Sequence, residues 1–366
     1  MKQLLKILAL NTLGWRTKRK IVILESDDWG SVRTPSIKSL EALHKRNVNI
    51  KQCTYMMYDS IAQHEDLAFL FEVLSKAKGF YNHACLTANC LVANPDFAAI
   101  AASDYSHYSY QLLPKTLEQY SNRNSLLDMW FEGKNKNVFF MQSHGREHVN
   151  TTRWLKALQS GDEITRLAFD YGMFGVSGHV ISQRRESFLS AFDGANDASS
   201  SIIADGLNIF EKLFGYRSAS FIAPNYVWGH EVEEASAREG VQFIQGGFIQ
   251  FFPSLEAEKK QTKRRFLGHR NPYKQYALVR NVHFEPSSNP NIDWVDKSLA
   301  EVKAAFALRK PAIISTHRVN YIGRLDTRNR DQNLKLLNTL LSNIIKKWPS
   351  VEFMTSPQLG QLMASK

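Results

Sequence analysis

Short aliphatic runs recur along the chain, each followed closely by polar residues or histidine. Ile21 to Leu24 precede Glu25-Ser26-Asp27-Asp28, and Val138 to Met141 precede Ser143 and His144. Ala219 to Ile222 precede Pro224, Val241 to Ile244 precede Gly246 and Gly247, and Ala312 to Ile314 precede His317. Unbroken runs of this length read as strands buried on both faces, as in parallel sheets. Between them lie stretches with apolar positions three and four apart, which predict helices over Ile37 to His44, Leu67 to Lys76, Thr152 to Leu158, Ser200 to Phe214, Val232 to Glu239, Val295 to Leu308 and Gln332 to Lys347. Strands alternating with helices predict an α/β protein with a parallel sheet or barrel, its chemistry gathered at the C-terminal strand ends.

Two stretches, 80–137 and 252–288, lack this regularity and read as insertions; the second carries Lys259, Lys260, Lys263, Arg264 and Arg265. Neither a repeat nor a clean linker divides the chain, so one elaborated domain over 1–366 is the expectation. At the start, Leu4, Leu5, Ile7, Leu8 and Leu10 line one side of an amphipathic helix over 1–20 that ends in Arg16, Lys18, Arg19 and Lys20. Such a helix either packs on the domain or gives peripheral contact with a membrane. Lys6 interrupts its apolar run and no small-x-small site follows, so a secretory leader is not indicated and a cytoplasmic location is expected.

Composition narrows the classes. With 43% hydrophobic residues and 22% charged, the chain has ample material for a core. Three cysteines, Cys53, Cys85 and Cys90, make no disulfide framework and no C-x-x-C pair. A net charge of +11 fits either plain solubility or anionic partners. Its basic residues are dispersed without a nucleic-acid-binding signature, so no nucleic acid partner is expected.

Two local patterns carry chemistry. In Ser143-His144-Gly145-Arg146-Glu147-His148, imidazoles four residues apart can meet on a helix face or turn and hold a divalent ion. Glu147 precedes the second histidine instead of following the first, which does not fit a zinc protease. Adjacent Asp27 and Asp28 repel each other at a strand end unless a cation or a proton-transfer role compensates, the plain alternative being a solvated turn capped by Asp28 or Ser31.

Taken together, these motifs resemble the polysaccharide deacetylases of the NodB-homology type, carbohydrate esterase family four. Ser26-Asp27-Asp28 resembles the first motif, and His144 and His148 the second, with Gly145 departing from its hydroxyl residue. Phe221-Ile222-Ala223-Pro224-Asn225-Tyr226 resembles the third motif without its arginine, for which Arg217 or Arg318 are the candidate replacements. Asp293-Trp294 is similar to the fourth and Ile313-Ile314-Ser315-Thr316-His317 to the last, so the resemblance spans residues 21 to 321.

The resemblance implies a distorted (β/α) barrel of seven or eight parallel strands, TIM-like. It implies a metal held by Asp28, His144 and His148, most naturally Zn2+, with Co2+, Ni2+ or Mn2+ as alternatives. It further implies Asp27 as base, His317 as acid with Asp293 orienting it, and a backbone N–H near Asn225 or Tyr226 for a developing oxyanion. Substrate contacts are expected from Trp29, Pro224, Asn225, Tyr226, Arg318 and Asn320. The implied activity is a metal-dependent hydrolase removing an N-acetyl or other acyl group from an amino sugar in a saccharide or glycan precursor. Two alternatives stay open: cleavage of another C–N or glycosidic bond, with Glu147 or Glu285 joining the acid and base set, and a glycan-binding protein without turnover.

Overall fold

The computed structural model describes residues 11–50, 53–120, 126–176, 188–194, 198–254 and 261–365. Leu4, Leu5, Ile7, Leu8 and Leu10 of the expected N-terminal helix, and Lys259 and Lys260, lie outside the described residues.

The five expected strands form, and four more join them in the main sheet. The main sheet contains β1 (Lys20–Trp29), β2 (Leu86–Cys90), β3 (Phe139–Ser143), β4 (Ser220–Ile222), β5 (Phe243–Gly246), β6 (Tyr276–Val279), β7 (Val282–His283), β8 (Ala312–His317) and β9 (Val351–Phe353). Its order is β6-β5-β4-β3-β2-β1-β8-β7, with β9 on β1, and every ladder is parallel. The two ends of this order are halves of one extended stretch. β6 pairs with β5, β7 pairs with β8, and the partner changes at Arg280 and Asn281, whose N–H groups donate to Gly246 O (2.9 Å) and Ile313 O (3.2 Å). The hydrogen-bonded path therefore returns to its starting edge, completed by the chain itself and not by a continuous ladder.

Residues alternate across β1. Val22 and Leu24 pack outward with the surrounding helices, whereas Ile21 and Ile23 join Phe243, Ile313, Leu359 and Met363 in a separate core. That second core lies against the last helix, Ser356–Ala364. One step further along the same face of β1 comes Glu25, wholly buried, accepting from Ser356 Oγ at 2.7 Å. Asp27 is next, at the end of this inner face, so an apolar floor gives way to a polar layer and then to the site.

The expected helices appear within a few residues of their predicted bounds, for example His64–Lys76, Ser199–Phe214 and Trp294–Ala307. The two expected insertions need correction, because 80–137 contains β2 and 252–288 contains β6 and β7. β2 shows no aliphatic run because its alternate residues meet the polar layer: Thr87 Oγ1 accepts from Ser356 N (3.0 Å) and Asn89 Nδ2 donates to Asp27 Oδ1 (2.7 Å). Nor is the basic stretch uniformly solvated, since Arg265 is buried against Glu233 at 2.9 Å. Among the described residues no helix is long and apolar enough to cross a membrane.

Candidate metal centre

Two adjacent carboxylates reach one place because the strand that carries them is irregular. The pairing of β1 with β2 shifts register between Ser26 and Trp29, and Asp28 takes a left-handed backbone conformation at φ 72°. Such a conformation costs free energy in a residue with a side chain, and it cancels the alternation that would point Asp28 away from Asp27. Both carboxyls are buried, at 4% and 2% exposure.

The histidines arrive on a turn, not on a helix. After β3, Gly145 at φ 108° reverses the chain, and the helix Thr151–Gln159 begins only after Asn150, which caps it. Asp28 Oδ1 lies 3.2 Å from His144 Nε2 and 3.3 Å from His148 Nε2. The three candidate ligand atoms all lie within 4.8 Å of one another, and all three residues are buried. His144 Nδ1 sits 2.9 Å from Ile222 O, at the end of β4. A carbonyl only accepts, so Nδ1 carries a proton, and Nε2 is the ring nitrogen turned toward Asp28. Burial pushes His148 down to about 3, against the opposing charge of Asp28. Two imidazole nitrogens and a carboxylate oxygen gathered in a buried space form a group that could hold a cation, and nitrogen and oxygen donors in this number suit zinc or a similar divalent ion.

Beside this group a second carboxylate, Asp27, stands close to a third imidazole, His317. Arg280, at the break between β6 and β7, donates through Nη2 to Asp27 Oδ1 and through Nη1 to Oδ2, both at 2.6 Å. It also reaches Glu25 Oε2 at 2.6 Å, Tyr226 Oη at 3.1 Å and Ser315 Oγ at 3.2 Å. Burial would raise the Asp27 pKa, but the Arg280 guanidinium overrides it and holds the carboxyl well below the usual carboxylate range. The arginine on Asp27 is thus Arg280, and neither of the sequence candidates, Arg217 or Arg318. Arg217 pairs instead with Glu211 on the surface, and Arg318 points to Asp59.

His317 Nε2 lies 3.6 Å from Asp27 Oδ2, and its Nδ1 lies 2.5 Å from Glu285 Oε1. Burial would lower this imidazole, but Glu285 beside it, with Asp27, raises it to about 9. The orienting carboxylate is therefore Glu285 and not Asp293. Asp293 caps the helix Trp294–Ala307 by accepting from Asp296 N at 2.9 Å, and it is exposed.

Several expected substrate contacts face elsewhere. Trp29 is buried in the outer core, edge-on to Phe139 at 4.9 Å, with its indole N–H donated to Ser26 Oγ. Asn320 is fully buried and donates to Glu285 Oε2 at 2.8 Å, so it holds the carboxylate that pairs with His317 and does not face open space. Arg318 is also fully buried. Pro224, Asn225 and Tyr226 form a turn in which Asn225 and Tyr226 are both left-handed. The Tyr226 N–H is engaged by Ala223 O at 3.1 Å, which leaves it unavailable for an oxyanion, while the half-buried phenol reaches Arg280. Glu147 is tied in a fork to Arg146 (2.6 and 2.9 Å), away from any acid or base role.

Three further residues line the site that sequence reasoning passed over. Arg33 Nη2 donates to Asp28 Oδ2 and its Nε to Asp59 Oδ2, each at 3.2 Å. Tyr55 lies edge-on to His317, ring centres 5.1 Å apart, with the Arg33 guanidinium 5.2 Å from its ring. Arg33, Tyr55 and Asp59 all follow β1 in a stretch without aliphatic runs, so no strand-end signal marked them.

No protein-family model matches the chain, and no curated protein is similar enough in sequence to register as a relative. Solved structures match over nearly its whole length. One from Mycobacterium smegmatis, provisionally assigned as a polysaccharide deacetylase, shares 8% identity and a TM-score of 0.46 over 97% of this chain and 93% of that one. A second, from Pseudomonas aeruginosa PAO1 and assigned in the same way, gives 10% identity and 0.45 over 94% and 91%. Puue allantoinase gives 11% and 0.46 over 96% and 93%.

Proposed function

We propose that the protein is a metal-dependent hydrolase that removes an acyl group, N-acetyl in the first instance, from an amino sugar of a saccharide or glycan precursor. The observation that carries the reading is one carboxylate oxygen within 3.2 and 3.3 Å of two imidazole nitrogens, with a carboxylate and an imidazole 3.6 Å apart alongside. Asp28, His144 and His148 would hold the ion, most naturally Zn2+. When bound, such an ion polarises a carbonyl and acidifies water.

Each remaining group then has one task. Asp27 takes the proton from the attacking water, in a position fixed by the two Arg280 nitrogens and Asn89. So strongly stabilised a carboxylate is a weak base, which suits it only to water that has already been acidified. His317 is charged at neutral pH because Glu285 raises it, so it holds the proton that a departing amine needs. Glu285 fixes the ring through Nδ1, leaving Nε2 as the donor toward the site. Glu147, which a glycosidase reading would recruit, is spent on Arg146.

The test is acetate release from a panel of N-acetylated amino sugars by metal-stripped and Zn2+-reloaded protein, with bound metal quantified. Zn2+-dependent release that falls by about 10²-fold or more in Asp27→Asn is expected. A protein that binds no divalent ion, together with Asp27→Asn at full turnover on an active substrate, refutes it.

A further inference from the structure

The metal-binding carboxylate is not left to the metal alone. Asp28 offers Oδ1 to the two imidazoles, while Oδ2 accepts from Arg33 Nη2 at 3.2 Å. Arg33 is itself held: its Nε donates to Asp59 Oδ2 at 3.2 Å, and Asp59 Oδ1 accepts from Arg318 Nε at 2.9 Å. All four side chains are at most 7% exposed. Their charges alternate from Arg318, which directly follows His317, through Asp59 and Arg33 to Asp28. The Tyr55 ring, 5.2 Å from the Arg33 guanidinium, braces the same group by a cation–π contact.

A guanidinium in this place works against metal affinity, because a fixed positive charge beside a divalent ion repels it. Arg33 could form a two-pronged pair with Asp59 alone, the geometry that best satisfies an arginine and a carboxylate. It divides its fork instead, and one prong neutralises the ligand. We propose that Arg33 is a positioning residue that sets the denticity and charge of the metal site, with Asp59 and Arg318 holding it in place. The proposal rests on the metal-site reading above. With Oδ2 occupied, Asp28 coordinates through Oδ1 only. With its charge offset by Arg33 and two neutral imidazoles completing the set, the ligands return little charge to the ion, which keeps its full electrophilic pull on a carbonyl or a water. The site gives up affinity for Lewis acidity.

Isothermal titration of the full-length, metal-stripped protein with Zn2+, checked by competition against a chromophoric chelator, tests this without recourse to activity. Arg33→Gln removes the charge and is expected to bind Zn2+ more tightly by about tenfold or more, the order given by one like charge at short range in a partly screened site. Arg33→Lys keeps the charge and should stay within about threefold of wild type. Should Arg33→Gln fail to fold, Arg33→Gln combined with Asp59→Asn removes one charge of each sign; Asp59 meets Asp28 only through Arg33, so tighter Zn2+ binding is still expected, by a smaller factor than in Arg33→Gln alone. Unchanged or weaker Zn2+ binding in the folded charge-removed protein would overturn the proposal, since an arginine serving only the fold cannot strengthen a metal site when lost. Wild-type protein that takes up no Zn2+ would instead bring down the metal centre, and this proposal with it.

Discussion

Replacing Arg280 by methionine should do more damage than any other single change at the site, and the damage should fade in acid. The guanidinium is 1% exposed and serves two buried carboxylates, Glu25 and Asp27, at 2.6 Å each. Removing one partner of a buried ion pair costs about 3–5 kcal/mol, because the other charge is left without compensation. Here two such charges are stranded, so the upper end of that range applies at neutral pH. The pH dependence follows from the sign of the Asp27 shift. In the wild type its folded pKa is depressed, so its contribution to stability is present above the unfolded value and is lost only as pH falls through the folded one. In Arg280→Met burial acts without its main opponent and pushes the folded pKa up. The ionised carboxyl then destabilises the fold at neutral pH, and protonation relieves it as pH falls. The difference in unfolding free energy between the two proteins should therefore shrink from pH 7 toward about pH 4. Urea unfolding of both metal-stripped proteins across that range measures it. A loss below about 1 kcal/mol at neutral pH, or one independent of pH, would show that Arg280 is not what compensates Asp27.

The roles of the two competing orienting carboxylates separate cleanly. In metal-stripped protein, nuclear magnetic resonance should find His317 titrating near 9, and Glu285→Gln should bring it down toward or below its ordinary value. Because the folded pKa is raised, the stability this pair contributes is full below the unfolded value near 6.5 and lost as pH rises through about 9, so Glu285→Gln should weaken the fold at pH 6 and scarcely at pH 10. A His317 titration that ignores Glu285→Gln would refute the pairing. Asp293→Ala should cost about 1 kcal/mol in thermal or urea unfolding, the usual worth of a helix cap, with kcat/KM and the His317 titration both unmoved. A selective fall in kcat would reinstate Asp293 at the site.

The residues legible from sequence share one property. Asp27, Asp28, His144 and His317 each follow an aliphatic run that must lie in the sheet, so burial of the run fixes where the next residues emerge. His148 follows from its spacing to His144. What that phase cannot give is the direction of a side chain at an irregular strand end. The left-handed step at Asp28 turns two successive carboxylates to one side, and the same step sends Trp29 back into the outer core, where strict alternation offers it to a substrate. Nor does the phase find residues whose place depends on pairing partners distant in sequence. Arg280 sits where one stretch leaves β5 for β8, a change of partner with no local signature in Tyr276-Ala277-Leu278-Val279-Arg280-Asn281. Glu285 lies beyond the short β7, before the turn Pro286–Ser288, and meets His317 only because β7 lies beside β8. The aliphatic pattern thus places the groups proposed to act, while the charged groups packed beside them, Arg280, Glu285 and Arg33, come from irregular segments that the parallel sheet carries to the same end. A search for such charged neighbours in a sequence of this kind should therefore begin with the charged positions of its least regular stretches.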